Sequence, residues 1–423
     1  MIPASGSAVT GNRWDLLDGI EPDHPPMVSV IVAHYRQPLQ LARTLRALAL
    51  QDHPADRLEV IIADDGSPEA PRVPQGVRLV RQEDAGFRLA AVRNLGAAAA
   101  TGEVLVFLDA DTSPEPAFIR ELARLPALAP DCVTVGRRRH ARLEGLPATK
   151  DIARAAVGRE LDEPDWLSEG YRTTRNLLDA DDRSYRYVIG AVLGCSRRMF
   201  DEVGGFDESF TSYGGEDWEW AYRAWNRGAL LAYVPSAVAW HDGPDAAGRS
   251  ITARGQKNAE AIRLSELIPI PGSRARGLRG TKVDIAVTGP PVPATEGEIF
   301  VSVDSVLAAI PGAEVIDRFQ GAGRDQGDRL DRVRVRVEIL RPVIVSGDAL
   351  AAQVARLGSE QLGELQIVDE SDEALIRIVS TRAEARHARW MRDDLFRTDR
   401  TASRGVRRLA GDVDVEAYLG GWL

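Results

Sequence analysis

Short apolar runs alternate with amphipathic segments along the first quarter of the chain. Runs rich in β-branched residues predict strands at residues 28–33, 58–63, 77–80 and 104–108. Amphipathic or alanine-rich segments predict helices at residues 39–50 and 89–100. In the first of these helices, Leu41, Leu45 and Leu48 share one face. Strands that alternate with helices at this spacing predict an α/β fold, with a mostly parallel sheet between layers of helices.

Three of the predicted strands end in polar residues. These ends are residues 34–36 (His-Tyr-Arg), 64–65 (Asp-Asp) and 109–111 (Asp-Ala-Asp). Ligands of parallel α/β sheets bind beyond the carboxyl ends of the strands, so the three ends predict one shared site. The alternative is that loops are simply polar.

The pattern changes beyond residue 250. A helix is predicted at 253–267, and the Pro/Gly-rich residues 269–273 predict an extended linker. Residues 282–287 and 333–339 then alternate apolar and charged side chains, as strands with one solvated face do. Two further helices are predicted, at 349–357 and 383–390. The predicted organisation is a lead at 1–26, a first domain at 27–250, a helix and linker at 251–281, and a smaller C-terminal α+β domain at 282–423.

Composition and charge exclude several classes of protein. The chain has 423 residues, of which 44% are hydrophobic and 27% charged, which excludes intrinsic disorder. Its net charge of −10 disfavours a nucleic-acid partner. Cys132 and Cys195 are too few for a disulfide framework or a zinc ribbon, so a reducing, cytoplasmic location is expected. The sequence shows no signal peptide and no apolar stretch of about 18–20 residues, so no transmembrane segment is expected.

Asp109 and Asp111 are candidate metal ligands. They are two residues apart beyond a predicted strand, so in extended chain both carboxylates point to one side. Carboxylate oxygens suit Mg²⁺ or Mn²⁺, and such a cation neutralises a diphosphate. Most isolated pairs of this kind are solvated loop carboxylates, so the pair acquires weight only together with other motifs.

Taken in order, the motifs resemble those of the family 2 glycosyltransferases, which have a nucleotide-sugar-binding fold of the GT-A type and invert the anomeric centre. The resemblance covers about residues 27–243. The motifs that carry it are residues 28–36, 64–67 (Asp-Asp-Gly-Ser), 93–96 (Arg-Asn-Leu-Gly), 109–111, 204–207 (Gly-Gly-Phe-Asp) and 214–217 (Gly-Gly-Glu-Asp). The last of these is similar to an element of the β-1,4-galactosyltransferase and chondroitin polymerase branch.

The resemblance implies a set of residues that bind the nucleotide-sugar donor, with UDP as the expected nucleotide. Tyr35 would stack on uracil, Asp65 would bond the base, and Arg88 or Arg93 would lie near the base or the diphosphate. The same motifs add the remaining members of the implied set, which are Ala33, Arg36, Asn94, Asp109 and Ala110.

The implied metal site consists of Asp111, which would bind the cation directly, Asp109, which would reach it through water or contact the ribose, and His241. An imidazole ligand favours Mn²⁺ over Mg²⁺. The alternative for His241 is a capping or core histidine.

The resemblance implies that Asp217 is the general base, because inverting transfer needs a carboxylate that takes the acceptor proton. Glu216 would bind hydroxyl groups of donor or acceptor, and Tyr213 and Trp218 would form walls for a sugar ring. The alternatives are an acidic helix N-terminus for Glu216 and Asp217, and helix packing for the aromatic residues. Residues 137–139 (Arg-Arg-Arg) are either a phosphate site or a solvated face.

The sequence therefore predicts a cytoplasmic, metal-dependent glycosyltransferase with an acceptor of unspecified class. A catalytically silent sugar-nucleotide-binding or scaffold protein is the alternative. A dinucleotide-binding oxidoreductase is disfavoured because the chain lacks G-x-G-x-x-G. The C-terminal domain is expected to serve dimerisation or acceptor docking.

Overall fold

The computed structural model describes residues 6–148, 151–212, 214–244, 252–278, 280–291, 293–316, 330–409, 411 and 413–421. The chain divides into two compact units. The first unit runs to Trp225 and continues over Ala229–Arg263, and the second consists of Asn226–Gly228 and Leu264–Leu423. None of the helices among the described residues combines the length and the apolar character that crossing a bilayer requires.

The first unit alternates strands and helices, as the sequence predicts. Its strands are β1 (Val28–His34), β2 (Leu58–Asp64), β3 (Arg78–Arg81), β4 (Val104–Asp109), β5 (Thr112–Pro114), β6 (Cys132–Ala141), β7 (Glu160–Leu161), β8 (Val192–Ser196) and β9 (Leu230–Asp242). Its helices are α1 (Pro38–Leu48), α2 (Leu89–Ala99), α3 (Phe118–Leu128), α4 (Ile152–Ala156), α5 (Asp165–Thr173), α6 (Arg197–Val203), α7 (Glu216–Asn226) and the first part of α8 (Thr252–Leu267).

These strands form one mixed sheet in the order β3-β2-β1-β4-β8-β6-β9-β5, with β7 beside β6. Strands β3, β2, β1 and β4 are parallel, and β8 joins antiparallel between β4 and β6. In this register His34 lies opposite Asp64, and Ala33 lies opposite Asp109. The three polar strand ends therefore reach the same edge of the sheet, as predicted.

Helix α2 lies close against the centre of the sheet. It packs on β1 and β2, and its Gly96 faces Ile31 so closely that a Cβ would overlap the Ile31 side chain. Ile31 and its strand neighbours Val30 and Val32 are fully buried, because a parallel strand in a two-sided core is apolar on both faces. This packing sets the position of the helix that carries Arg93 and Asn94.

Strand β9 is longer than the sequence pattern indicates. The apolar run predicts a strand only at 230–234, whereas β9 continues to Asp242. Beside β6 the register shifts between Gly136 and Arg137, so that Pro235 and its neighbours bulge out and the pairing resumes at Val238. The continuation pairs Thr112 of β5 with His241, which brings the histidine to the polar end of β4.

The second unit is an α+β structure of its own, as predicted. Its strands are β10 (Ile285–Thr288), β11 (Ala313–Val315), β12 (Val335–Ile339), β13 (Val343–Val345), β14 (Leu362–Val368), β15 (Ala374–Ser380), β16 (Arg397–Ala402) and β17 (Val406–Arg408). Its helices are the end of α8, α9 (Glu296–Ala309), α10 (Ala349–Ser359), α11 (Thr381–Trp390) and α12 (Val415–Tyr418).

The larger sheet of this unit has the order β11-β10-β12-β15-β14-β16. Strand β12 shows the expected alternation: Val335, Val337 and Ile339 are buried and Arg336 is exposed. The apolar side chains share a core with Val306 of α9 and with Leu350 of α10, so helices of the same unit cover this face. Residues 269–273, predicted as an extended linker, form turns with Ile270 buried.

Candidate active site

Asp111 and His241 form the centre of the polar end of the sheet. The Nε2 atom of His241 lies 3.7 Å from Oδ2 of Asp111, which also accepts a hydrogen bond of 3.0 Å from the side chain of Gln37. The Nδ1 atom of His241 donates to the carbonyl of Gly243 at 3.1 Å, which leaves the lone pair of Nε2 facing the carboxylate. Burial raises the pKa of Asp111, and the charge of Asp109 raises it further, whereas His241 opposes the shift.

This donor set fits a divalent cation. A carboxylate oxygen and an imidazole nitrogen held in its Nδ1–H tautomer by a carbonyl are typical ligands of a transition metal. Oδ1 of Asp109, the third predicted ligand, accepts a hydrogen bond from Arg93. Within the described ranges, no group of three His, Cys, Asp or Glu side chains is placed to hold a metal. The predicted role of Asp109, contact with the cation through water or with the ribose, stays a prediction.

Arg93 joins three elements of the first unit. Its guanidinium is 2% exposed and donates to Oε1 of Glu216 at 2.7 Å and to Oδ1 of Asp109 at 2.8 Å. A side chain at Gly190 would not fit, because its Cβ would lie 2.7 Å from Nη1 of Arg93. The buried guanidinium therefore fixes α2, the end of β4 and the start of α7 relative to one another.

Glu216 and Asp217 lie at the N-terminus of α7. Oδ2 of Asp217 accepts from the backbone N–H of Gly190 at 2.9 Å, and Oδ1 accepts from the N–H of Trp218 at 2.8 Å. Burial raises the pKa of Asp217 above its usual value. Burial also raises the pKa of Glu216, and with the charge of Asp217 brings it to about 7. Asp217 is thus a carboxylate in a fixed orientation with increased proton affinity.

The loops after β1 and β2 form the predicted nucleobase end of the site. Oδ2 of Asp65 accepts from the N–H of Arg88 at 2.9 Å. Tyr35 is 37% exposed, and its hydroxyl donates to Asp84 at 3.1 Å. The guanidinium of Arg36 lies 4.8 Å from the centre of the Tyr35 ring.

Asp64 connects the ends of β1 and β2 with the residues that follow them. It is fully buried and accepts hydrogen bonds from Ser67, from Nδ1 of His34 at 2.7 Å and from Arg81 at 2.8 Å. Burial by itself would raise the pKa of Asp64, but these hydrogen bonds lower it below its usual value. The hydroxyl of Ser67 in turn accepts from the N–H of Arg36, which fixes the loop that carries Tyr35.

Some residues of the implied donor-binding set have structural partners. The amide of Asn94 accepts from the N–H of Phe206 and donates to its carbonyl, both at 2.9 Å, so it holds the 204–207 loop. The N–H of Ala110 donates to the carbonyl of Ala33 at 2.9 Å, and both alanines are buried. Tyr213 lies outside the described residues.

Two aromatic residues beside Trp218 did not emerge from the sequence. Trp166 of α5 is 44% exposed, with its ring stacked on Tyr187 at 6.4 Å and edge-on to Trp218 at 6.0 Å. The only signal for Trp166 in the sequence is that a tryptophan stands in a charged, irregular stretch. Trp220, in contrast, is fully buried.

Residues 137–139 belong to β6, and Arg137 and Arg139 each contact another side chain. Arg137 pairs with Glu163 at 2.7 Å, and the guanidinium of Arg139 lies 4.1 Å from the centre of the Trp240 ring. These contacts favour neither a phosphate site nor a purely solvated face.

Two protein-family models match the part of the chain that carries the motifs. Residues 29–204 match the model of glycosyl transferase family 2, and residues 179–239 match that of the N-terminal domain of galactosyltransferase. The first unit carries a family 2 glycosyltransferase domain. The matched residues include all three polar strand ends and residues 214–217. The predicted fold class, a GT-A type domain with an additional C-terminal α+β unit, is confirmed.

Relatives of this glycosyltransferase domain occur in larger proteins. Hyaluronan synthase of Pasteurella multocida is 29% identical over 277 residues, which are 59% of this chain and 28% of that protein. Validoxylamine A glucosyltransferase of Streptomyces hygroscopicus subsp. jinggangensis is 31% identical over 219 residues, 47% of this chain and 51% of that protein. The chain spans less than two thirds of the length of either relative.

A solved mannosyltransferase, PcManGT from Pyrobaculum calidifontis in complex with GDP-Man and Mn²⁺, is 20% identical with a TM-score of 0.40. The alignment covers 61% of this chain and 67% of that one.

Proposed function

We propose that this chain is a metal-dependent, inverting glycosyltransferase that transfers a sugar from a nucleotide donor, with UDP as the nucleotide, to an acceptor nucleophile. The observation that carries the proposal is the orientation of Asp217 by two backbone N–H groups. Asp217 directly follows Glu216, which shares Arg93 with Asp109 at the end of β4. The base and the donor end of the site are thus linked through one buried guanidinium.

Asp111 and His241 are the residues that would hold the metal. When bound, a divalent cation supplies positive charge that stabilises the diphosphate leaving group. Gln37 positions the Asp111 carboxylate, and the carbonyl of Gly243 fixes the tautomer of His241. The positive charge of Arg93 offsets the negative charge of Asp109. This pairing limits the repulsion between Asp109 and the anionic diphosphate of the donor.

Asp217 would carry the proton transfer. The acceptor oxygen forms a bond to C1 of the donor sugar while the bond between C1 and the diphosphate oxygen breaks, and the electron pair leaves with the diphosphate. The acceptor proton passes to the carboxylate of Asp217. A raised pKa favours this step because it increases the basicity of the carboxylate.

The nucleobase would lie at the loops after β1 and β2. Tyr35 offers an exposed aromatic ring for stacking, and Asp65, aligned by the N–H of Arg88, offers a hydrogen-bond acceptor. Uracil presents both a π-face and an N–H donor, so these two groups are compatible with UDP, the nucleotide that the motif resemblance implies.

The test measures hydrolysis of a panel of UDP- and GDP-sugars, since slow donor hydrolysis needs no acceptor. We expect release of UDP with Mn²⁺ and little release in chelator. Calorimetry should likewise show UDP binding only with the metal. His241→Ala should lose the metal dependence of binding, whereas the control His24→Ala, at an exposed position, should keep it. Equal UDP affinity with and without Mn²⁺ would contradict the metal assignment.

A further inference from the structure

Helix α8 lies against the loop that leads to Asp217. Arg263 of α8 donates to the hydroxyl of Ser209, and its guanidinium lies 6.0 Å from the centre of the Phe210 ring. One turn earlier, Glu260 faces Gly214, where a Cβ would lie 2.8 Å from Oε2 of Glu260. Gly214 also has a φ of +95°, a conformation that favours glycine. The loop is thus shaped to accommodate the carboxylate of Glu260.

The surroundings of the Glu260 carboxylate disfavour its negative charge. Glu260 is half-buried, and within the described part of the chain it accepts no hydrogen bond. Burial and the charge of Asp217 raise its pKa to about 7, whereas Lys257 on the same helix lowers it. The exposed part of such a carboxylate is hydrated by water, and a ligand hydroxyl that displaces this water can supply the donor.

A second carboxylate oxygen beside Asp217 also lacks a donor. Glu216 is 4% exposed, and its Oε2 has no hydrogen-bond partner among the described residues, although Oε1 is paired with Arg93. Both oxygens of Asp217, in contrast, accept backbone hydrogen bonds. Three carboxylates, those of Glu216, Asp217 and Glu260, thus belong to the vicinity of the proposed base. A hydroxyl group of a bound molecule can reach the half-buried carboxylate of Glu260, whereas Oε2 of Glu216 is enclosed by the protein.

We infer that Glu260 binds the acceptor: its carboxylate accepts a hydrogen bond from one hydroxyl of a polyhydroxylated acceptor while Asp217 takes the proton from another. The inference rests on the proposed function, because Asp217 marks the acceptor side only if it is the base. Glu260 lies beyond residues 29–239, which the two family models match. The acceptor class that fits is a sugar or another polyol.

The experiment compares Glu260→Gln and Glu260→Ala with the wild-type full chain. The control is Glu266→Gln, an exposed position on the same helix. The probes are p-nitrophenyl glycosides of glucose, N-acetylglucosamine and glucuronic acid, with the UDP-sugar that the wild type hydrolyses fastest. Transfer and hydrolysis are measured in the same reaction.

We expect the ratio of transfer to hydrolysis to fall about tenfold or more in both Glu260 variants, the effect of losing a charge-assisted hydrogen bond. The loss should appear as a higher KM for the glycoside. Glu266→Gln should retain the wild-type ratio. Thermal melts show whether each variant is folded, and Glu260→Gln keeps the shape of the side chain if the alanine variant is unstable.

An unchanged KM for the glycoside in Glu260→Gln overturns the inference. So does a parallel loss of transfer and hydrolysis, which would assign Glu260 to the base or to the fold. A wild type that hydrolyses UDP-sugar and glycosylates none of the probes overturns the polyol class. A wild type that hydrolyses no nucleotide sugar contradicts the proposed function itself, which separates the two failures.

Discussion

Buried charges that are shared between several partners dominate the site at the scale of single residues. Asp64, Arg93 and Asp217 each have two or more hydrogen-bond partners. Only part of this follows from the sequence. The motif order predicts that the aspartates at the strand ends meet, because strand ends share an edge. The sequence does not reveal that Arg93 pairs with Glu216, because the two residues are 123 positions apart. The guanidinium needs a charged partner only because the fold buries it.

Asp217→Asn should lower the rate of sugar transfer by about 10²–10⁴, the range typical of losing a general base. The affinity for UDP with Mn²⁺ should change little, because the variant keeps the size of the side chain and loses only one of the two hydrogen bonds from the backbone. Steady-state kinetics and calorimetry give the two values. Asp201→Asn, at an exposed position of α6, is the control. Transfer at nearly the wild-type rate would assign the base to another residue.

Glu216 should make the stability of the protein depend on pH. Its folded-state pKa of about 7 exceeds the ordinary value of 4.5, so this group stabilises the fold fully below pH 4.5. The contribution, about 3 kcal/mol at 1.36 kcal/mol per pKa unit, is lost as the pH rises through about 7.

Urea denaturation at pH values between 5 and 8 measures this effect. Glu216→Gln should make the decline in the free energy of unfolding shallower over that interval, whereas Glu266→Gln should leave the wild-type slope. An identical slope in the wild type and in Glu216→Gln would show that other groups carry the dependence.

At the scale of elements, periodicity predicts the regular strands and fails where charge or proline interrupts them. Strands β1, β2 and β4 are mainly apolar, and their predicted bounds agree with the structure to within one residue. The hydrophobic pattern does not predict strand β6, because three consecutive arginines are typical of a loop. In the structure Arg137 is paired with Glu163 within the strand. Strand β9 was cut short because a Pro-Ser pair is typical of a turn, and a bulge accommodates it.

Gly96→Ala tests the close approach of α2 to β1. The new methyl group would overlap Ile31, so we expect destabilisation by about 1–3 kcal/mol, as for other overpacked cores. Gly255→Ala in α8 is the matched control: nothing lies within 4 Å of its Cβ position, and a gain of about 0.5–1 kcal/mol is expected for a helical site. Chemical denaturation measures both. Equal stability of Gly96→Ala and wild type would show that the sheet adjusts freely.

At the scale of the whole molecule, the two units have different chemical content. The aspartates, His241 and Arg93 of the candidate site all belong to the first unit. The second unit covers the apolar face of its sheet with its own helices, so that face does not require a partner chain. Dimerisation through this unit therefore stays a prediction, which light scattering of the full chain decides.

A chain that ends after Ser273 should still bind UDP with Mn²⁺ at the wild-type affinity, because the proposed ligands of both lie in the first unit. We expect acceptor transfer or dimer mass to be lost instead. Calorimetry, kinetics and light scattering on the shortened and full chains separate these outcomes. A shortened protein that is folded, as judged by circular dichroism, yet does not bind UDP would contradict this separation of roles.

The shared guanidinium of Arg93 has a consequence for how this domain evolves. Lysine carries a single ammonium group and cannot reproduce the planar fork that holds Glu216 and Asp109 at once. Losing either carboxylate would leave Arg93 with one partner in place of two, whereas losing Arg93 would leave the buried Glu216 without its ion-pair partner. In descendants of this sequence, Arg93 should accordingly be the position of the three that tolerates replacement least, because both carboxylates depend on it.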